Sequence, residues 1–274
     1  MKKNILVVND DGINAEGIHK LAEALSEVGY VYVCSPHVQQ SASGHGFSIG
    51  RTILIEEVPF PEATRAFSIE GTPADCVKIG LEIYRERGIE MDMVFSGFNH
   101  GSNLGTDTLY SGTVSAAIEG AFYGLPAAAM SICSDRTYHI APNNFEAGME
   151  MAKRIACSEP FQKKKDETRP QGINFIHERH VILSVNVPDA PKEMIKGIKV
   201  CPLSYRAYDD IYDKKEEDGQ ISYYYTGHLA VKGEEDADES DIVANGLGYT
   251  TITPLHFDLT NRRTIKKLQG EWNE

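Results

Sequence analysis

The chain of 274 residues carries 27 Lys and Arg against 40 Asp and Glu. A net charge of −13 argues against a nucleic-acid backbone or an anionic membrane surface as its main partner. With 41% hydrophobic and 24% charged residues it has an ordinary globular composition, enough for one large domain or two modest ones around a sizeable core.

Ile5-Leu6-Val7-Val8 is a continuous apolar run of the kind a central parallel strand shows when both its faces are buried. It runs into Asn9-Asp10-Asp11-Gly12, a turn with adjacent carboxylates. A helix follows, with Ile18, Leu21, Ala22, Leu25 and Val28 at helical spacing and Gly29 as its stop. Val31 to Cys34 reads as a second strand closed by Ser35-Pro36. The three segments form a βαβ unit, which places strand 1 inside the sheet with its carboxyl end open to ligand. Two basic residues and four consecutive apolar ones are too few for a signal peptide, and no stretch approaches a membrane span. Five scattered cysteines without a CxxC pair suggest free thiols in a reducing compartment, and the expectation is a soluble cytoplasmic protein.

The segment 37–46 after strand 2 is polar and glycine-containing, and 47–58 alternates loosely, as an edge hairpin would. Gly71-Thr72-Pro73 opens a helix with Thr72 as N-cap and Ala74, Val77, Leu81 and Tyr84 as its buried face. Met93-Val94-Phe95 then reads as a short buried strand, followed by a Gly/Asn-rich loop with too few bulky apolar residues to belong to the core. Val114, Ala117, Ile118, Ala121, Phe122 and Leu125 mark one face of a helix that begins at Ser111-Gly112-Thr113. Free N–H groups at such a helix start favour an anion such as phosphate. A strand at Ala127 to Ile132 and a helix over about 145–156 close the repeating α/β part.

Beyond it the texture changes. The charged segment 162–172 reads as a solvated surface loop, and Val181 to Pro188 as a strong strand. From Lys199 onward the segments are short, aromatic and β-prone. The run 234–241, with six acids and no base, reads as solvated loop without EF-hand spacing. The strands of 205–248 have no evident sheet to join, so they are expected to pair with a neighbouring subunit.

Asp10 and Asp11 after strand 1, Ser41 after strand 2 and Asn99 after the strand at 93–97 are the oxygen ligands that these loops offer to one crevice. Two carboxylates with hydroxyl and amide oxygens suit a hard divalent ion such as Mg²⁺, Mn²⁺ or Ca²⁺. The chemistry this suggests is phosphate-ester hydrolysis, with the ion activating water and the helix start holding the other phosphate oxygens. Proton transfer is open to a carboxylate, His45 or His100. A receiver module would need a phosphoacceptor Asp where Phe95 to Asn99 stands. A covalent aspartyl-phosphatase would need DxDxT, and a dinucleotide-binding dehydrogenase GxGxxG, after strand 1; neither is present.

These residues lie in motifs that resemble the SurE (stationary-phase survival protein) family of nucleotidases: ILVVNDDGINAEGI, QSASGHGFSI, GTPADCVKIGL, SGFNHGSNLGTDTLYSGTVSAAIEGA, LSVNVP and GYTTITPLHFDLT, in the family's order over nearly the whole chain. The resemblance implies a divalent-metal-dependent hydrolase of phosphoric monoesters. It would act on nucleoside 5′- and 3′-monophosphates and often on short polyphosphate. The family's metal ligands fall on Asp10, Asp11, Ser41 and Asn99, with Asp10 and Asp11 as the catalytic pair, and its phosphate contacts on Asn9, Ser111, Gly112 and Thr113. The implied fold is a Rossmann-like three-layer αβα sandwich with a mostly parallel sheet. Residues 1–160 would carry the site and 161–274 complete the sheet, with a β-rich extension over about 199–248 that exchanges between subunits of a dimer or tetramer. His100 and Ser102 stand where the family varies, and 162–172 looks like a local insertion.

Overall fold

The computed structural model describes residues 2–134, 144–161, 181–205, 207–209, 212–217, 219–226, 228–231 and 239–272. The expected loop at 162–172 lies outside the described residues. The strands are β1 (Lys3–Val8), β2 (Gly29–Pro36), β3 (Ile55–Glu57), β4 (Arg65–Ile69), β5 (Met93–His100), β6 (Ala127–Cys133), β7 (Ile182–Pro188) and β8 (Ile198–Val200), then β9 (Ala207–Asp209), β10 (Tyr212–Glu217), β11 (Gln220–Tyr225), β12 (His228–Val231) and β13 (Thr250–Leu255). The helices are α1 (Glu16–Ser26), α2 (Pro73–Glu86), α3 (Gly112–Phe122), α4 (Glu146–Cys157), α5 (Asp241–Gly246) and α6 (Arg262–Trp272).

Nine strands form one sheet in the order β3-β4-β2-β1-β5-β6-β7-β13-β8. From β4 to β7 all neighbours are parallel, whereas β3 and β13 run antiparallel to β4 and β7. The chain builds outward from β1 through β2, then returns to the other side of β1 with β5. The order therefore reverses between β1 and β5, where a doubly wound sheet opens its crevice. Ile5 and Val7 of β1 join the core shared with α1 and α4, and Leu6 and Val8 the core shared with α2 and α3. All four are fully buried, as the unbroken apolar run requires. The result is the expected three-layer α/β fold.

Several boundaries differ from the sequence reading. Gly29 does not stop α1; the helix ends at Ser26, and Gly29 is the first residue of β2, opposite Lys3. The region 47–58 contributes only β3, whose partner is β4, a strand that the sequence pattern did not reveal. Strand β5 extends to His100 through a register shift between Ser96 and Asn99. Gly97 sits in that shift at φ +133°, and a Cβ there would lie 2.1 Å from the Met130 carbonyl oxygen, so only glycine allows this strand end.

Helix α3 is buried on nearly every side, including Ser115, Ala116 and Glu119 opposite the expected apolar face. Helix α2 packs beside it, and Phe257 from beyond β13 meets Phe122 edge-on. The loop after β5 is also largely buried, contrary to its polar composition, because its backbone finds buried partners described below. At the chain's other extreme, β10 and β11 form an antiparallel ribbon and β9 pairs with β12, so these strands do have partners within the chain.

Thr72 caps α2 as expected, and Asp75 completes a capping box by accepting from the Thr72 N–H at 2.9 Å. Asp75 also accepts from the Ser48 N–H at 2.8 Å and hydroxyl at 2.7 Å. Burial would raise its carboxyl, but the donors from Ser48 and Thr72 outweigh burial and hold it below the ordinary carboxylate range. Asp75 thus stabilises the fold above the usual carboxylate pKa of about 3.9, and this contribution is lost as the pH falls through its lower folded value. Asp75→Asn should lower stability at neutral pH by roughly 1–2 kcal/mol. It should also flatten the loss of stability on acidification, as read by urea unfolding at several pH values; a slope equal to wild type would show that the carboxylate is not so held.

Candidate active site

The turn after β1 is shaped by Asn9, which is fully buried. Its amide nitrogen donates to the Gly12 carbonyl at 2.9 Å, and its oxygen accepts from the Gly12 N–H at 3.2 Å and the Ser35 hydroxyl at 2.5 Å. The sequence reading set Asn9 among the substrate contacts, but both ends of its side chain are engaged inside the fold. Its observed part is to hold the Asp10-Asp11-Gly12 turn.

Asp10 and Asp11 face different walls of the crevice. Asp10 is only 4% exposed and turns to α3, where the Thr113 hydroxyl donates to its Oδ1 at 2.5 Å. Asp11 turns to the end of β5 and the loop after β2. Its Oδ2 accepts from the His100 N–H at 2.9 Å and its Oδ1 from the Gln39 amide at 3.1 Å. Burial, and then the adjacent charge of Asp11, push the Asp10 carboxyl up to about 6 against the opposing hydroxyl and N–H of Thr113.

The start of α3 therefore meets a carboxylate of the protein itself. Thr113 is fully buried, and its hydroxyl and N–H are directed at Asp10, not held free for a ligand as expected. The Ser111 hydroxyl oxygen accepts from the Val114 N–H at 3.0 Å, an ordinary N-cap. Gly112 permits the approach: a Cβ there would sit 2.9 Å from both the Asp10 Cβ and the Ser43 hydroxyl oxygen. The positive end of the α3 dipole is thus applied where carboxylates accumulate.

The remaining candidates lie in the loop after β2 and at the end of β5, both of which touch the turn at Asp10 and Asp11. Gln40, just before the exposed Ser41, donates its N–H to the Asp10 carbonyl at 2.7 Å. Asn99 is nearly buried and donates its amide to the Gly101 carbonyl at 2.7 Å, which leaves its Oδ1 as the atom available to a cation. Among the described residues no three His, Cys, Asp or Glu side chains cluster as metal ligands. The donors present are instead two carboxylates, a hydroxyl and an amide, a set that fits a hard cation. Two buried polar atoms in the adjoining segments, the Ser43 hydroxyl oxygen and His100 Nε2, have no hydrogen-bond partner among the described residues. Unpartnered buried polar atoms in segments that adjoin paired carboxylates fit a site completed by an ion and its ligands.

Three buried polar residues that sequence reasoning passed over hold the loops in place. Asn186 of β7 accepts from the Asn103 N–H at 2.8 Å, and Asp241 of α5 accepts from the Gly105 N–H at 2.7 Å, so the loop after β5 is secured from the C-terminal part. Asp241 ends the acidic run expected to be solvated, yet it is fully buried and also takes the Ser204 N–H at 2.9 Å. Glu119 of α3 pairs with His45 at 2.9 Å and Lys78 at 2.8 Å. Burial pushes its carboxyl up, but His45 and Lys78 outweigh burial and hold it below the ordinary range. The available signal was a polar residue inside an apolar pattern: Asn186 within LSVNVP and Glu119 within α3.

Thr113→Val, which keeps the shape and removes the donor, should cost roughly 1.5–3 kcal/mol, the range for a hydrogen bond to a charged group. Thr113→Ser should recover most of that loss in chemical denaturation at neutral pH. Equal stability of Thr113→Val and wild type would mean that the hydroxyl does not support Asp10.

The chain is similar to known proteins along nearly its whole length. A family model described as "Survival protein SurE" matches residues 5–210. A protein of Caldanaerobacter subterraneus subsp. tengcongensis named 5′-nucleotidase SurE is 40% identical over 272 residues, covering 98% of this chain and 97% of its own. A protein of the same name from Clostridium botulinum is 39% identical, with 97% and 98% covered. The crystal structure of SurE protein from Aquifex aeolicus superposes with a TM-score of 0.75 at 33% identity, covering 98% of this chain and 99% of that one. Sequence, fold and strand-end chemistry together make this chain a member of the SurE family.

Proposed function

We infer that the protein is a 5′-nucleotidase, a hydrolase that cleaves nucleoside monophosphates to nucleoside and phosphate. The observation that carries this reading is the meeting of Asp10, Asp11, the end of β5 and the start of α3 at the reversal of strand order. The name shared by the relatives, 5′-nucleotidase SurE, supports the substrate class. Nucleoside 3′-monophosphates and short polyphosphate present the same terminal phosphate and belong to the same reading.

Asp10, Asp11, Ser41 and Asn99 would hold one divalent cation, Mg²⁺ or Mn²⁺, with Ca²⁺ able to take the same oxygen set. Such an ion supplies positive charge to phosphoryl oxygens and lowers the pKa of water. Ser111 and the backbone of Gly112 line the phosphate's approach, Asn9 holds the turn and Thr113 keeps Asp10 in place. Attack by water is favoured over a phospho-enzyme by the state of the candidate nucleophiles. Both Asp11 oxygens accept hydrogen bonds, Asp10 is bound by Thr113, and the Ser111 hydroxyl oxygen faces the Val114 N–H.

A nucleoside monophosphate panel should show turnover with Mg²⁺ or Mn²⁺ and none in EDTA. Asp11→Ala should lose calorimetric Mn²⁺ binding and at least a hundredfold in kcat, since one carboxylate and two neutral oxygens hold a hard dication poorly. Wild-type Mn²⁺ affinity in Asp11→Ala would remove the cation from this site.

The same reading includes assembly into a homodimer or homotetramer and a cytoplasmic setting. The β10–β11 ribbon is exposed on both faces, with Tyr212, Tyr223, Tyr224 and Tyr225 open to solvent, and a two-stranded ribbon alone is marginal in water. A neighbouring subunit would cover these tyrosines. All five cysteines are free, in keeping with a reducing compartment, and no described helix is long and apolar enough to cross a membrane. Deleting 207–231 should reduce the mass measured by light scattering to that of a smaller assembly; an unchanged mass would place the interface elsewhere.

A further inference from the structure

The phosphate end of the crevice is common to every monophosphate, so whatever distinguishes a nucleotide must be bound beside it. Three aromatic residues stand in the segments that adjoin the start of α3. Tyr110 immediately precedes Ser111, the N-cap of the helix that faces Asp10, and is 67% exposed. Its carbonyl accepts from the Gly44 N–H at 3.0 Å, which joins it to the loop that carries Ser43, His45 and Phe47. Phe47 is 49% exposed.

This loop has no regular structure, yet its rings are held. The buried Glu119 carboxylate fixes His45 through one oxygen and Lys78 through the other. His45 in turn stacks on Phe122 with centroids 5.4 Å apart, and Lys78 lies over the Phe47 ring at 5.0 Å. Two loop rings are thereby placed by a carboxylate that has no contact with the turn at Asp10 and Asp11 among its described partners. Glu119 lies seven residues along α3 from Gly112, roughly 10 Å at the helical rise, which is a reach that a ribose and its base can cover.

We propose that Tyr110 and Phe47, in segments steadied by His45, form the nucleoside-binding rim of the site, on which the base of the substrate stacks. The inference rests on the nucleotidase reading and deepens it. Every base presents a π-face, so stacking tolerates both purines and pyrimidines and favours the larger purine surface. A Phe47 ring held in advance by Lys78 needs little ordering when the base arrives. His45 and Glu119 are positioning residues for this rim; the stacking surface itself is Tyr110 and Phe47.

The test compares kcat/KM for AMP with that for ribose 5-phosphate, which has the same ester and no base, in wild type, Tyr110→Ala and Phe47→Leu. Calorimetric affinity for adenosine is measured on the same proteins. The AMP-to-ribose-5-phosphate preference should fall roughly five- to hundredfold in the variants, through KM, and adenosine binding should weaken in parallel. Phe47→Leu keeps apolar bulk and removes only the aromatic face, so a loss there is not a packing effect. If both variants keep the wild-type preference and adenosine affinity, the rim is overturned while the nucleotidase reading stands. If wild type cleaves ribose 5-phosphate but no nucleotide, both are overturned together.

Discussion

A carboxylate buried at the end of a central strand sets the terms for the rest of this molecule. Asp10 leaves a central strand with almost no exposure and with a second carboxylate beside it in sequence. Low dielectric and like charge both oppose its ionisation, and its carboxyl is pushed up to about 6. The fold answers with the first turn of α3, whose dipole and Thr113 donors meet Asp10, and with the His100 N–H, which meets Asp11. That answer requires glycine at position 112, because any side chain would strike Asp10 and Ser43. It also requires a strand end that reaches His100, which in turn requires glycine at position 97.

The loops around this pair have little secondary structure, and buried polar side chains take its place. Asp75 holds the loop after β2 at Ser48, Glu119 holds it at His45, and Asn186 and Asp241 hold the loop after β5. Each would be destabilising if unpartnered, and each meets backbone N–H groups or cations instead. Loops fastened in this way keep a fixed shape at a crevice that must stay open to ligand. Partners for the loop after β5 come from β7 and α5, so residues beyond 180 contribute to the site without approaching Asp10 itself.

The C-terminal part does two different things. Strands β7, β13 and β8 extend the same sheet, and buried Thr251 and Thr253 continue its interior. The ribbon β10–β11 and helix α6 stand apart, with none of their described residues buried. Tyrosines along the ribbon and Trp272 at the end of α6 offer apolar surface that a single copy of the chain leaves in water.

Local pattern was enough for whatever depends on neighbours in sequence. The unbroken Ile5 to Val8 run, closed by the Asn-Asp-Asp-Gly turn, reads as a strand covered on both faces, and the turn then opens at the sheet's carboxyl edge. The capping box of α2 lies within four residues, and the βαβ order alone selects the handedness and hence the crevice. The positions of Asp10, Asp11, Ser41 and Asn99 at or just after strand ends were legible for that reason. What each polar side chain does was not legible, because Thr113 meets Asp10 across 103 residues, Glu119 meets His45 across 74, and Asp241 meets Gly105 across 136. An aspartate in an acidic run and a threonine at a helix start look alike in sequence whether solvated or buried. Only the packing of α3, β7 and α5 against the strand ends decides which carboxylates are removed from water, and so which of them need partners.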